Sequence, residues 1–249
     1  MNASCRPTPT LPGWRLPEMH LEGTLQMALD AWLLDQCVTG RMTGPILRFY
    51  TWPGAWLSLG HHQRVSDDHW LTLEQQGQLK RVRRPSGGGA VLHATGLTYA
   101  LVWPDAPRGR REAYGRTTEW LMGAFEHLGL PLHPGQETAM GGQTNCFGSA
   151  TRADLVDASG HKRIGSAQFW RRGHLLQHGE ILLTPPAELW RSVFGSSPSP
   201  PWAAPARSRI IQALEESIQE LWPHCRWAMR DLSTEEWQEL EQRRSLYDL

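Results

Sequence analysis

The sequence is poor in the features that would give it a covalent framework or an address. Its four cysteines, Cys5, Cys37, Cys146 and Cys225, stand far apart and form no CxxC pair. Neither a disulfide framework nor a zinc site is expected from that spacing, and a reducing compartment fits it better. No stretch approaches the ~20 apolar residues needed to span a bilayer. No internal repeat is present. Charge of neither sign prevails: 25 basic residues balance 25 acidic ones. That balance removes the electrostatic case for nucleic acid as a main partner. Residues 1–12 are rich in Pro, Thr and Ser and lack an apolar signal core. Residues 1–20 therefore read as a flexible leader on a cytoplasmic protein.

What is abundant is tryptophan, 13 residues in a chain of 249. That count fits either a well-packed core or an aromatic-lined apolar tunnel, and composition does not separate the two. The length suits one large domain or one domain with a small appendage.

The periodicity predicts helices over 21–39, 67–78, 116–128, 208–221 and 233–244. Ser233 and Glu236 match a capping box. Strands are predicted at 46–52, 55–59, 90–92, 98–102, 154–156, 163–170 and 175–183, the last interrupted at His178-Gly179, and residues 80–84 lead into a glycine run. Residues 131–144 read as irregular. Four prolines make 196–205 a linker. The mixed order gives an α+β class, with 21–195 as the main domain and 196–249 as a linker and terminal helices packed on it. His61 and His62 are adjacent, but neighbours on a strand face opposite ways and no acidic or cysteine partner is near, so no metal is assigned.

The chemistry concentrates in three separated segments. The first is Arg83-Arg84-Pro85-Ser86-Gly87-Gly88-Gly89-Ala90-Val91-Leu92-His93. Three successive glycines cost backbone entropy and contribute no packing, so they mark a close backbone approach or a hairpin turn. The second is Asn145-Cys146-Phe147, where the thiol of Cys146 is a candidate nucleophile on a loop. The third is Lys162-Arg163-Ile164-Gly165-Ser166-Ala167-Gln168, followed by Gln177-His178-Gly179-Glu180. Taken singly, Cys146 reads as an inert buried thiol and Lys162 as a solvated turn lysine.

Together these segments resemble the biotin/lipoate protein ligase and octanoyltransferase superfamily. The glycine run is similar to its signature loop, residues 162–168 to its K-x-x-G-S-A-Q segment, and residues 176–183 to its L-Q-H-G-S-I-L-L segment. Met27-Ala28-Leu29-Asp30 and Arg48-Phe49-Tyr50-Thr51-Trp52 also look like family segments. The closest likeness is to the cysteine-dependent octanoyltransferase, lipoate–protein ligase A-like branch, in which a C-F pair stands where Cys146-Phe147 stands here.

The resemblance implies a catalytic domain of the biotin/lipoate ligase type, with one mixed or antiparallel sheet and flanking helices. It implies that Cys146 forms an acyl thioester and that Lys162 lowers the thiol pKa. Arg84, Ser86, Gly87, Gly88, Gly89, Val91, His93, Gly165, Ser166, Ala167, His178 and Gly179 would bind the acyl or lipoyl substrate. The donor would be octanoyl-acyl carrier protein. The acceptor would be a lipoyl-domain protein, such as the glycine-cleavage H protein or a dehydrogenase E2. No cofactor is then needed. An ATP-dependent lipoate–protein ligase, using ATP and Mg, is the alternative. A non-catalytic binder of lipoyl-type ligands is the alternative of another class. Two positions depart from the pattern: Ala94 where the family commonly has Asp, and Glu180 where it has Ser.

Overall fold

The computed structural model describes residues 11–64, 68–135 and 154–249. Cys146 and its neighbours therefore lie outside the described residues. Three layers are present. The middle layer is a nine-stranded sheet with the main path β12-β1-β3-β7-β11-β10-β9-β8, and β2 pairs with β3. Its strands are β1 (Leu11–Arg15), β2 (Met19–His20), β3 (Ile46–Thr51), β7 (Leu97–Trp103), β8 (His133–Pro134), β9 (Leu155–Val156), β10 (Lys162–Arg171), β11 (His174–Ile181) and β12 (Cys225–Met229). A separate three-stranded sheet holds β4 (Trp56–Leu59) between β5 (Lys80–Arg83) and β6 (Val91–His93).

The large sheet is covered on both faces, which is why β3 is buried along its whole length. Alternate residues of β3 serve the two cores. Ile46 and Tyr50 pack with α1 (Gly23–Val38), whereas Leu47 and Phe49 pack with α3 (Arg110–His127) and α5 (Arg207–Leu221). Helix α1 is buried almost all round. A helix in that position needs apolar residues on every face rather than on one stripe. On its outer side lie α6 (Thr234–Arg243) and a short 3-10 turn at Arg244–Tyr247. Trp32 of α1 donates to Glu239 across 2.8 Å, and Leu240 is fully buried. The small sheet forms its own core with α2 (Asp68–Gln75) and α4 (Ala187–Phe194).

The α+β class stands, but the strands divide between two sheets rather than one. The segment expected to be a loose leader also differs, because residues 11–15 and 19–20 are strands. Strand β1 runs parallel to both β12 and β3. The pairing with β12 joins residues more than two hundred positions apart, and local pattern does not report it. Helix α3 begins at Arg110, six residues before the periodicity predicts. Ala113 is fully buried there, so its first turns are packed although their sequence is arginine-rich. Strand β11 runs without a break through His178-Gly179. Among the described residues no helix is long and apolar enough to cross a membrane.

Candidate functional site

A narrow slot lies where the small sheet faces the large one. Its walls come from Met27 of α1, Tyr50 and Trp52 around the end of β3, and Gly165–Ala167 of β10. Val91 and His93 of β6, and His178–Glu180 of β11, complete it. The cavity volume is about 30 Å³, room for one or two waters. Its lining is mostly apolar carbon, with polar groups tied to one another beneath it.

Two relays hold those polar groups. In the first, Asp30 is fully buried and its carboxylate only accepts. It takes hydrogen bonds from Arg48 (3.1 Å) and Tyr50 (2.9 Å), and from His178 Nδ1 at 2.8 Å. With Nδ1 donating, the Nε2 of a neutral His178 ring accepts from Ser86 Oγ at 2.6 Å. Burial and the Asp30 charge push the Tyr50 phenol well above its ordinary value, so it stays a donor. In the second relay, Glu180 Oε2 accepts from His93 Nδ1 (2.8 Å) and Thr98 Oγ1 (2.6 Å). His93 Nε2 meets Ser58 Oγ at 2.8 Å, and Trp52 stacks on the His93 ring at 4.2 Å. Each relay fixes an imidazole on the slot wall.

The glycine loop is held from behind. Arg84 is buried and donates to the carbonyls of Ser58 (2.8 Å), Gly87 (2.8 Å) and Gly89 (2.7 Å). Arg83 donates to the carbonyls of Gly60, His61 and Gln63. The Gly87 and Gly89 carbonyls are thus turned toward the Arg84 guanidinium. The amide N–H groups of Gly87, Gly88 and Gly89 find no hydrogen-bond partner among the described residues. Gly88 has φ +99°, a conformation that requires glycine. Consecutive free amides of this kind form a concavity for an anion or a developing oxyanion.

Lys162 opens β10. It is buried, not solvated, and its ammonium pairs with Asp154 at 2.9 Å. Next along the slot, Gly165–Ser166–Ala167 pair with β11 at Glu180, Gly179 and His178. The small residues there have a packing cause. A Cβ on Gly179 would stand 2.6 Å from the Gly165 carbonyl and 2.7 Å from the Tyr99 ring. Tyr99 uses that space to reach Ser166 Oγ at 2.7 Å.

A family model described as the lipoyl protein ligase A/B catalytic domain matches residues 22–239. The chain belongs to that family. Within it, the chain is similar to Octanoyltransferase LipM of Lysinibacillus sphaericus, 37% identical over 78% of this chain and 72% of that protein. It is 36% identical to Octanoyltransferase LipM of Geobacillus kaustophilus, over 73% of this chain and 69% of that one. The figures for the Oceanobacillus iheyensis protein of the same name are 35%, 70% and 64%, so the chain spans a little under two thirds of that relative. The backbone resembles a solved lipoate-protein ligase A bound with ATP, with a TM-score of 0.76, 19% identity and 94% of both chains covered. It also resembles a bipartite lipoate protein ligase from Thermoplasma acidophilum, solved in a study of that ligase and its E2 lipoyl domain. There the TM-score is 0.69, with 18% identity, 95% of this chain and 92% of that one. These structures place the chain in the lipoate ligase fold.

Of the residues expected from the sequence of this family member, eight line the slot: Arg84, Val91, His93, Gly165, Ser166, Ala167, His178 and Gly179. Ser86 stands behind His178 and does not line it. Gly87 lines a different groove, on the outer side of the loop. Gly88 and Gly89 belong to the loop itself, and Lys162 lies further along β10. Cys146 lies outside the described residues. Sequence reasoning missed Asp30, Ser58 and Asp154, and also Met27, Tyr50 and Trp52 as wall residues. The aromatic run at the end of β3 was the available signal for the last two.

Proposed function

We propose that this chain transfers an octanoyl group from a carrier thioester to a lysine of a lipoyl-domain protein, through a thioester on Cys146. The observation that carries this reading is the 37% identity to an octanoyltransferase over most of the chain, joined to an apolar slot walled by the glycine loop and β10. In the first step the Cys146 thiolate adds to the thioester carbonyl and the carrier thiolate leaves, taking up a proton. In the second the neutral lysine amine adds to the acyl-Cys146 carbonyl, the enzyme thiolate leaves, and the amine's proton is lost. Two easier steps replace one difficult one. The product amide is more stable than either thioester, so no nucleotide is consumed. The free amides of Gly87–Gly89 supply donors for a tetrahedral oxyanion.

The paired state of Lys162 refines its role. Its ammonium faces Asp154, so its field on a nearby thiol is that of an ion pair, weaker than that of a lone cation. Steering the acyl carbonyl then matters at least as much as acidifying the thiol. An eight-carbon chain needs more room than the slot provides when closed. Met27, the most adaptable side chain on its wall, is the natural one to yield. A reducing, cytoplasmic setting fits a mechanism that needs a free thiol.

The test is transfer from octanoyl-carrier protein to an apo lipoyl domain, with wild type and Cys146→Ser. The expected result is nucleotide-independent transfer that the substitution reduces by about a thousandfold or more, the scale of losing a nucleophile. Wild-type transfer rates in the variant would overturn the mechanism. Pyrophosphate release with lipoate and ATP, in the absence of carrier-dependent transfer, would favour the ligase reading.

A further inference from the structure

A second groove, of about 290 Å³, opens on the outer side of the glycine loop. Strand β10 contributes to both cavities: residues 165–167 line the slot, and residues 168–170 line the groove. Its walls include His61, His62, Gly87, Arg110, Tyr114 and Trp170, and among the described residues no carboxylate lines it. Four more exposed arginines, Arg64, Arg108, Arg111 and Arg172, each lie within two residues of a lining residue. Among the described residues none of these four, nor Arg110, forms an ion pair with a carboxylate. Arginines elsewhere commonly do so, as Arg15, Arg48, Arg163 and Arg230 illustrate. The nearby acidic side chains, Asp105 and Glu112, are outnumbered. A chain of zero net charge therefore concentrates unpaired cations around one opening.

We propose that this groove docks the donor: an acidic carrier protein whose thioester sits on a phosphodiester-linked arm, with Arg110 and the two histidines facing the phosphate. The inference rests on the acyl-transfer reading. The acceptor brings a lysine ammonium, which the arginine of the groove and the arginines of its rim repel. The donor brings a phosphate and an acidic surface, both of which the groove and its rim attract. The flat faces of Tyr114 and Trp170 suit a thin, partly apolar arm. Gly87, whose amide has no hydrogen-bond partner among the described residues, lines the groove.

The experiment compares two octanoyl donors, the carrier protein and the N-acetylcysteamine thioester, which has no phosphate and no protein. It uses wild type, Arg110→Glu and Arg108→Glu/Arg111→Glu, all exposed positions. The expected result is that Arg110→Glu lowers the ratio of kcat/KM for carrier over N-acetylcysteamine donor by about tenfold, the scale of one charge-assisted contact. The loss should sit in KM for the carrier, and added salt should reproduce it in wild type. An unchanged ratio, or a rise in acceptor KM with either donor, would overturn the proposal and assign the groove to the acceptor. If wild type uses neither donor, the acyl-transfer reading itself fails. Binding of the phosphopantetheinylated carrier to wild type and Arg110→Glu then still reads the surface directly, and equal affinity overturns it.

Discussion

Asp30 ties a buried guanidinium and a slot imidazole to one carboxylate. It has no contact with solvent and compensates Arg48, also buried, while orienting His178. Asp30→Asn leaves Arg48 without its counter-charge. A loss of about 3–5 kcal/mol in unfolding free energy is expected, the cost of stranding one member of a buried pair. Arg48→Met combined with Asp30→Asn should cost less than the sum of the single changes, which a denaturant double-mutant cycle would measure. The thiols give a second residue-scale prediction. Burial pushes Cys37 up to about 12 and Cys225 to about 11, so both are protonated near neutrality. Iodoacetamide on the native protein at pH 7.5 should modify Cys146 and spare both, as peptide mass mapping would read. Rapid labelling of Cys37 without unfolding would contradict its assigned burial. At this scale the sequence was informative about kinds of residue and poor about partners. Gly165, Ser166 and His178 were legible as a motif. Asp30 and Asp154 were not, because a carboxylate reaches its role only through a fold that brings α1 to β11 and the residue before β9 to β10.

Strands β10 and β11 are the elements that build the slot, and their close approach depends on glycine. Gly179→Ala forces a Cβ into the Gly165 carbonyl and the Tyr99 ring. A destabilisation of about 1–3 kcal/mol is expected from that overpacking, with a loss of acyl binding because Ser166 is tied to Tyr99. Thermal unfolding and ligand titration would separate the two effects. The turn before β10 adds a pH-dependent term. Burial raises the Asp157 carboxyl, but the His161 backbone N–H and Arg163 outweigh it, so the group lies below its ordinary value. A depressed folded pKa stabilises above the unfolded pKa of about 3.9. That stability is lost as pH falls through the folded value. Asp157→Asn should therefore be less stable than wild type at pH 7, with the gap closing below about pH 4 in urea titrations. Helices α1, α5 and α6 and most strands were legible because their patterns are local. The α6 capping box is present as Ser233 and Glu236 predict. Helix α4 after Pro185-Pro186 and strands β1, β2, β5, β8 and β12 escaped notice. Strands β1 and β12 are held by pairing across the chain, and a short exposed strand carries little alternation of its own.

At the scale of the whole molecule, the large sheet carries a core on each face, and the slot sits where the small sheet meets one of them. The tryptophan excess resolves into both of its readings. Trp32, Trp70 and Trp120 fill cores, whereas Trp52 stacks on His93 at the slot wall. Charge neutrality, which excluded nucleic acid from sequence totals, conceals a basic arc beside the glycine loop that only the fold assembles. The glycine run, legible as a close-approach loop, proves to be one whose Gly87 and Gly89 carbonyls are held by Arg84 and whose amides have no partner among the described residues. The most direct witness of the proposed covalent acyl transfer is its intermediate. Intact-mass analysis after brief incubation with octanoyl-carrier protein, without acceptor, should find one octanoyl group on the wild-type chain. It should map to the Cys146 peptide, vanish in Cys146→Ala, and be discharged by an apo lipoyl domain. A wild-type chain that binds the octanoyl or lipoyl group tightly yet never acquires that mass would contradict the account.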